Sequence, residues 1–339
     1  MSGAVTPSAT AETMTAYKAA FEEGCSAFLE RYPESALYAP VRYLMGLGGK
    51  RLRPALVMAA CEACGGTRQA ALPAAIAVEL FHNFTLMHDD IMDDAPLRRG
   101  HATVHEKWND NLAILSGDAL HVMACEALLD APASALPDLM RMYHRTALEV
   151  CEGQEQDMAF ESEPQVELDA YMEMIRLKTS VLLAASLHMG ARVAGAGKET
   201  LDALYEFGLH VGLAFQLQDD YLDAFGDPEK FGKQVGGDIL ADKKTFLLIR
   251  ALEIAEGDQL STLQAELGGR SEGKVQRVID CYRGLGVDAE LRDAMAGQVA
   301  LAEGALRRFS QQTSGALGGS TTATAFLHGL AAMVTERLH

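Results

Sequence analysis

Two short aspartate-rich runs are the residues most suited to chemistry in this sequence. The first, DDIMD, spans 89–93, and the second, DDYLD, spans 219–223. On an α-helix, 3.6 residues per turn places the first and last aspartate of each run on one face, and Gln216 extends the second stripe. Carboxylates crowded at a helix C-terminus repel one another and the helix dipole unless cations lie between them. Oxygen donors without a Cys or His set at ligand spacing indicate Mg²⁺, which also binds phosphate oxygens.

Basic residues gather in small groups, several of them beside glycines. Arg provides a bidentate fork for phosphate and Lys a point charge. The net charge of −18 excludes a broad positive field, so we expect neither a nucleic-acid partner nor binding to an acidic membrane surface. Phosphate binding must therefore be local, through the groups Lys50/Arg51/Arg53, Arg98/Arg99, Lys178 with Thr179, Lys233, and Lys243/Lys244 with Thr245.

The elements that must position these groups are helices. Apolar residues recur every three or four positions along most of the chain, whereas sustained alternation typical of strands is nearly absent. Glycine and proline punctuation outlines about ten or more helices. The sequence predicts an all-α protein, with a flexible N-terminus over 1–10 and a single domain over 11–339.

The sequence also predicts a cytoplasmic location. No stretch of 18 uninterrupted apolar residues predicts a membrane span, and the first residues lack the pattern of a signal peptide. Six scattered cysteines do not form the dense framework of a small secreted protein, which favours a reducing compartment.

Four segments resemble a known family when taken in order. They are LMGLGGKRLRP (44–54), ELFHNFTLMHDDIMDDAPLRRG (79–100), Lys178-Thr179 and FQLQDDYLDAFGDPEKFGKQVGGDILADKKT (215–245). This combination resembles the trans-isoprenyl diphosphate synthases, the polyprenyl synthetase family. The resemblance implies the isoprenoid synthase fold, an all-α helical bundle around a central cavity, usually in a homodimer, with the aspartate motifs facing each other across the cavity mouth.

The resemblance also implies a reaction and its site residues. An allylic diphosphate ionises, isopentenyl diphosphate attacks the carbocation, and a proton is lost to give a trans product one C5 unit longer. About three Mg²⁺ ions would be held by Asp89, Asp90, Asp93, Asp219 and Asp220, with Asp223 acting through metal-bound water. The allylic diphosphate would also contact Arg98, Lys178, Thr179, Gln216, Lys233 and Lys243. Isopentenyl diphosphate would be held without metal by Lys50, Arg53, His82 and Arg99.

Chain length is predicted from the helix that ends in the first aspartate run. The growing tail would run toward the helix N-terminus, where each turn of about 5.4 Å matches one isoprene unit. Phe84 is therefore the expected floor, with small Thr85 beside it and Phe81 deeper. Within the family, this pattern resembles geranylgeranyl rather than long-chain synthases, and farnesyl diphosphate synthase remains the alternative.

Two other functions are compatible with parts of the sequence. A terpene cyclase would normally replace the second aspartate motif, which is present here, and would not need Lys50, Arg53 and Arg99. A non-catalytic prenyl-diphosphate-binding subunit would tend to lack some of these aspartates or lysines, all of which are present. A short-chain, Mg²⁺-dependent prenyltransferase is therefore the favoured prediction.

Overall fold

The computed structural model describes residues 7–226, 235–269, 271–313 and 319–336, and these residues are almost entirely helical. The all-α prediction is therefore confirmed. The helices in chain order are α1 (Pro7–Leu29), α2 (Ala39–Gly46), α3 (Leu52–Ala63), α4 (Arg68–Met92), α5 (Val104–Lys107), α6 (Asp110–Leu128), α7 (Leu136–Ser162), α8 (Leu168–Ile175), a π-helical turn (Arg176–Ser180), α9 (Val181–Val193), α10 (Lys198–Phe225), α11 (Gly237–Leu240), α12 (Phe246–Ile254), α13 (Gly257–Glu266), α14 (Lys274–Leu285), α15 (Val287–Thr313) and α16 (Thr321–Glu336).

A two-stranded hairpin follows α4. Strand β1 (Leu97–Arg98) pairs antiparallel with β2 (His101–Ala102), and Arg98 lies opposite His101. The two turn residues Arg99 and Gly100 have φ of 54° and 78°, the left-handed pair that tight hairpin turns require. The hairpin therefore fixes the direction in which Arg98 and Arg99 leave the chain.

The chain divides into two compact units. Unit 1 comprises 1–144, 185–205 and 306–330, and unit 2 comprises 145–184, 206–305 and 331–339. The single domain expected over 11–339 stays a prediction. So does the flexibility expected for 1–10, of which 7–10 already belong to α1 and 1–6 lie outside the described residues.

Helix α4 is the central element of unit 1. It packs against α3 and α6, and small residues such as Ala74 and Ala77 are fully buried along it. Thr67 caps its start by accepting a hydrogen bond from the Ala70 amide at 3.3 Å. Among the described residues, α4 is the one helix long and apolar enough to cross a membrane by length and composition, and 61% of its most apolar window is buried inside the protein. The aspartate run occupies its last turn.

Unit 2 has its own apolar core. Leu217 of α10, Leu247 of α12, and Leu291 and Met295 of α15 are at most 1% exposed. Helices α8, α12 and α14 pack around this core. The π-helical turn at Arg176–Ser180 interrupts the regular hydrogen bonding between α8 and α9, a feature frequent at functional sites. Burial of these apolar side chains holds α10 and the π-helical turn in place.

Candidate active site

The first aspartate run sits at the C-terminal end of α4, in unit 1. Asp93 is the C-cap, and its amide donates to the Asp89 carbonyl at 2.8 Å. Asp89 is half-buried and Asp93 is exposed, whereas Asp90 is only 2% exposed. The buried carboxylate of Asp90 is paired with Arg98, whose Nε lies 2.8 Å from both of its oxygens. The run therefore presents two accessible carboxylates beside one that is held in a buried ion pair.

Hydrogen bonds at the base of the hairpin hold Arg98 in reach of Asp90. The Thr103 hydroxyl donates to the Ala95 carbonyl at 2.7 Å, and the Thr103 amide donates to the Pro96 carbonyl at 3.2 Å. The Ala95 amide in turn donates to the Asp90 carbonyl at 2.9 Å. These local bonds close the hairpin onto the end of α4.

The loop before α3 forms part of the basic group in unit 1. Arg99 donates from Nη1 to the Gly48 carbonyl. A Cβ at Gly49, where φ is +134°, would lie 3.1 Å from the Arg99 guanidinium, so only glycine fits this close approach without a shift. Lys50 is exposed on the same loop, whereas Arg51 is buried and paired with Glu79 at 2.6 Å. Arg51 therefore anchors the loop that carries Lys50.

Arg53 and His82 form a close pair in the same unit. Nη1 of Arg53 lies 3.2 Å from Nε2 of His82. Burial, followed by the positive charges of Arg53 and Arg99, lowers the pKa of His82 well below its usual value of 6.5. Burial also lowers the pKa of Arg53. A neutral imidazole beside crowded guanidinium groups is a suitable surface for an anion.

An aromatic layer lies along α4 before the aspartate run. The Phe84 ring is 4.8 Å from the His88 ring, 5.2 Å from that of His121 and 5.6 Å from that of Phe81. Phe81 is 1% exposed and meets Tyr143 edge-on at 5.4 Å. Because these rings contact one another on several sides, we expect them to keep their positions and to form a rigid apolar surface.

The second aspartate run lies on α10, in unit 2. Asp220 is 4% exposed and accepts hydrogen bonds from the Tyr171 hydroxyl and from Nε2 of Gln216, the latter at 3.2 Å. Burial raises the pKa of Asp220 to about 7; the carboxylates of Asp238 and Asp219 add to the rise, while the two hydrogen bonds oppose it. Asp220 is therefore a buried carboxylate with two other carboxylates near it.

Asp223 closes the second run onto the chain that follows it. Its Oδ2 accepts from the Asp238 amide at 2.9 Å, and its carbonyl accepts from the Gly236 amide at 2.6 Å. Asp219, one helical turn before Asp223, is exposed. Asp223 therefore holds the start of α11 and, with it, Asp238.

The π-helical turn positions Lys178 and Thr179. Lys178 pairs with Asp157 at 2.5 Å, and the Thr179 hydroxyl donates to Oε1 of Gln216 at 3.2 Å. The backbone of the turn approaches α7 so closely that a Cβ at Gly153 would lie 2.4 Å from the Lys178 amide nitrogen. The turn thus places the Thr179 hydroxyl against Gln216, whose side chain in turn donates to Asp220.

A cavity of about 710 Å³ opens among these unit 2 residues. Its lining brings together seven residues predicted from the sequence, namely Lys178, Thr179, Gln216, Asp220, Lys243, Lys244 and Thr245. It also includes Asp157, Tyr171 and Asp238, which sequence reasoning did not assign. Tyr171 and Asp157 carried no local signal, since their partners lie 49 and 21 residues away. Lys233 lies outside the described residues.

The donor sets fit Mg²⁺. Both runs offer only oxygen ligands, and Asp89, Asp93 and Asp219 are accessible enough to leave room for water and phosphate. In unit 2, the carboxylates of Asp238 and Asp219 lie close enough to Asp220 to add to the rise in its pKa that burial causes. Carboxylate oxygens, water and phosphate oxygens are sufficient as ligands of Mg²⁺.

Comparison with known proteins identifies a family. The family model "Polyprenyl synthetase" matches residues 34–285. The geranylgeranyl diphosphate synthase of Methanosarcina mazei is 46% identical over 219 residues, 64% of this chain and 68% of that protein. The geranylgeranyl pyrophosphate synthase of Geoglobus acetivorans is 42% identical over 252 residues, 74% of this chain and 77% of that protein.

Solved structures agree with the sequence relatives. A crystal structure of a geranylgeranyl pyrophosphate synthase superposes with a TM-score of 0.87 at 40% identity, covering 95% of this chain and 98% of that one. The geranylgeranyl pyrophosphate synthetase from Pyrococcus horikoshii gives a TM-score of 0.84 at 33% identity, covering 96% and 98%. With its all-α fold, its two aspartate runs and these matches, the chain belongs to the polyprenyl synthetase family.

Proposed function

We propose that this protein is a Mg²⁺-dependent trans-prenyltransferase that condenses isopentenyl diphosphate with allylic diphosphates to a short-chain product, with geranylgeranyl diphosphate favoured. One observation carries the proposal most directly. The chain combines two carboxylate runs with a separate basic group that contains Arg53, His82 and Arg99. Two anionic substrates, one bound with metal and one without, need this division of charge.

The reaction breaks the C1–O bond of the allylic diphosphate and forms a C–C bond to isopentenyl diphosphate. The pair of electrons from the broken bond leaves with pyrophosphate, and the product double bond forms when a proton is lost from isopentenyl diphosphate. Mg²⁺, when bound, supplies positive charge that stabilises the departing pyrophosphate. We assign its ligands to Asp89, Asp90, Asp93, Asp219 and Asp220, with about three ions as in the family pattern and Asp223 acting through water.

Side chains around these carboxylates bind and orient the allylic diphosphate in this proposal. Lys178 and Lys243 add positive charge, and Thr179 and Gln216 offer hydrogen bonds; these four line the unit 2 cavity. Arg98 presents its guanidinium beside Asp90. Lys233 is assigned to the same role because of its place in the sequence segment 215–245 that resembles the family. Their shared action is to hold the leaving group so that C1 faces the second substrate.

Isopentenyl diphosphate binds without metal in this proposal, through Lys50, Arg53, His82 and Arg99. Support comes from the basic character of the group and from the position of His82, whose Nε2 lies 3.2 Å from Nη1 of Arg53 and whose ring can donate an N–H to phosphate. A diphosphate in this place would also relieve the repulsion among the guanidinium groups.

The product length is assigned to the aromatic layer of α4. Phe84, supported by Phe81, blocks the tail, and Thr85 leaves space beside it. Relatives named geranylgeranyl diphosphate synthase favour C20. Farnesyl diphosphate synthase is the alternative within the same reaction.

We also propose a homodimer formed through α6. Leu115 and Val122 of α6 and Leu129, its C-cap, are 56%, 63% and 63% exposed and are spaced by seven residues, so they form one apolar stripe. A second copy of the chain is the partner that this stripe suits, because an isologous contact pairs an apolar helix face with itself. In sedimentation, the Val122→Glu variant should be a monomer and the wild type a dimer. The control is Leu240→Glu, which changes an exposed apolar residue outside the stripe, in unit 2, and should remain a dimer.

The cytoplasmic location also stays a proposal. It is supported by six cysteines that are all free thiols, four of them buried. Thiols persist in a reducing compartment.

Product analysis tests the proposed function. The purified protein is supplied with isopentenyl diphosphate and dimethylallyl, geranyl or farnesyl diphosphate, with Mg²⁺ or with a chelator. We expect a C20 diphosphate that appears only with Mg²⁺. A C15 end product would favour the farnesyl alternative. No condensation with any primer would overturn the proposal and favour a non-catalytic prenyl-diphosphate-binding subunit.

A further inference from the structure

A group of potential metal ligands lies beside the hairpin of unit 1. It consists of Asp94, which follows the first aspartate run, and His105 and Glu106, which belong to α5. One ligand atom from each of the three residues lies within 4.8 Å of the other two. None of the three has a role in the proposed prenyl transfer.

His105 distinguishes this group from an ordinary acidic surface. Its side chain is only 6% exposed, and both ring nitrogens are buried without a hydrogen-bond partner. Nε2 lies 3.9 Å from Oε1 of Glu106, too far for a hydrogen bond. Buried polar atoms normally have partners, and leaving one unsatisfied is unfavourable. A cation at this point would take up one of these nitrogens.

The chemistry of the donors selects the class of cation. One imidazole nitrogen and two carboxylate oxygens suit Zn²⁺ and related transition-metal ions, whereas Mg²⁺ prefers oxygen alone. Zn²⁺ bonds of about 2.0–2.2 Å place ligand atoms at most about 4.4 Å apart. Asp94 and Glu106 are exposed and can turn inward by the small distance required.

We propose that Asp94, His105 and Glu106 form a structural site for a divalent transition-metal ion, and that Zn²⁺ is the ion that these ligands fit best. The site joins the residue that leaves α4 to the helix that follows the hairpin. Between them lie Arg98 and Arg99, so the ion fastens the two ends of the segment that carries these arginines. Its effect is on the rigidity of the hairpin and on stability, not on the chemical step.

The test is Zn²⁺ binding by the full chain in the presence of excess Mg²⁺, measured by competition with a chromophoric chelator. The wild type should bind one more Zn²⁺ ion per chain with high affinity than the Asp94→Asn and Glu106→Gln variants, or bind that ion at least about tenfold more tightly. Loss of a residue that only supports a metal ligand already lowers metal affinity by about this factor. Asn tolerates the left-handed φ of 48° at position 94 as Asp does. Both variants change exposed side chains and should fold.

The matched control is His101→Gln, an exposed histidine of the same hairpin. It should bind Zn²⁺ like the wild type, and Zn²⁺ should raise the Tm of both but not that of Glu106→Gln. With ¹⁵N-labelled histidine, Zn²⁺ should shift one ring-nitrogen signal that is missing in His105→Gln. Equal Zn²⁺ affinity of wild type, Asp94→Asn and Glu106→Gln, or no tight equivalent in the wild type, would overturn the proposal.

Discussion

Arg98 grips both carboxylate oxygens of Asp90 from Nε at 2.8 Å, and Asp90 is only 2% exposed. Removing one partner of a buried pair leaves an uncompensated charge. We therefore expect Arg98→Ala to lower the free energy of unfolding by about 3 kcal/mol without metal. Urea denaturation in a chelator measures this loss.

The control for Arg98→Ala is to make the same change in the Asp90→Asn variant. In a double-mutant cycle, Arg98→Ala should have a much smaller effect once Asp90 carries no charge. Equal losses in both backgrounds would show that the pair does not stabilise the fold.

The aspartate runs are expected to govern metal-dependent activity. Asp89→Asn, Asp93→Asn and Asp219→Asn should each lower kcat/KM by roughly 10²–10⁴-fold, because stabilisation of the leaving group by metal is worth several kcal/mol. Asp280→Asn changes an exposed aspartate on α14 that accepts a hydrogen bond from Gln276, and it should keep wild-type kcat/KM. Initial rates over a range of Mg²⁺ concentrations measure the change. A wild-type rate for any of the three variants would remove that residue from the ligand set.

Phe84 is expected to limit the product. Its ring is held by Phe81, His88 and His121, so Phe84→Ala should open space behind it and give products longer than C20. Thr85→Phe should act in the opposite direction and shift the product toward C15, because it adds a ring beside the floor. Chromatography of the dephosphorylated products gives both results. An unchanged product in Phe84→Ala would place the floor elsewhere.

His82 is expected to make the protein acid-sensitive. Its pKa in the fold is well below 6.5, mainly because of burial, whereas the unfolded chain takes up the proton near pH 6.5. The unfolded state therefore binds more protons below that pH, and the free energy of unfolding falls as the pH drops. Between pH 6.5 and 5.5 the wild type should lose about 1 kcal/mol more than His82→Gln.

The exposed His101 gives the control for this comparison. His101→Gln should follow the wild-type dependence of stability on pH, measured by urea denaturation at several pH values. If His82→Gln and the wild type lose stability equally on acidification, then His82 is not the group held neutral by the fold.

The sequence alone determined the fold class and the identity of the aspartate runs. Helical periodicity is a local property, repeated every three or four residues, and DDIMD and DDYLD carry their spacing within one or two turns. For the same reason the run at 89–93 could be assigned to the end of an apolar helix, where α4 does end. Order and type of motif were enough to identify the family.

Tertiary structure decided which charges are paired. Within one basic group, Arg51 is buried against Glu79 while Lys50 is exposed, a difference that depends on the turn at φ 52° and not on residue type. Tyr171 reaches Asp220 across 49 residues, and no local pattern encodes such a contact. The π-helical turn under Lys178 likewise has no pattern that we could read in the sequence.

The cluster of Asp94, His105 and Glu106 shows why such contacts cannot be predicted from the sequence alone. In the sequence Asp94 lies eleven and twelve positions before the adjacent residues His105 and Glu106, and this spacing is not a known metal-ligand pattern. The hairpin between them folds back through a two-residue turn and brings their ligand atoms within 4.8 Å. Spacing along one helix is fixed by its period, whereas proximity between elements depends on how the chain closes its loops and packs.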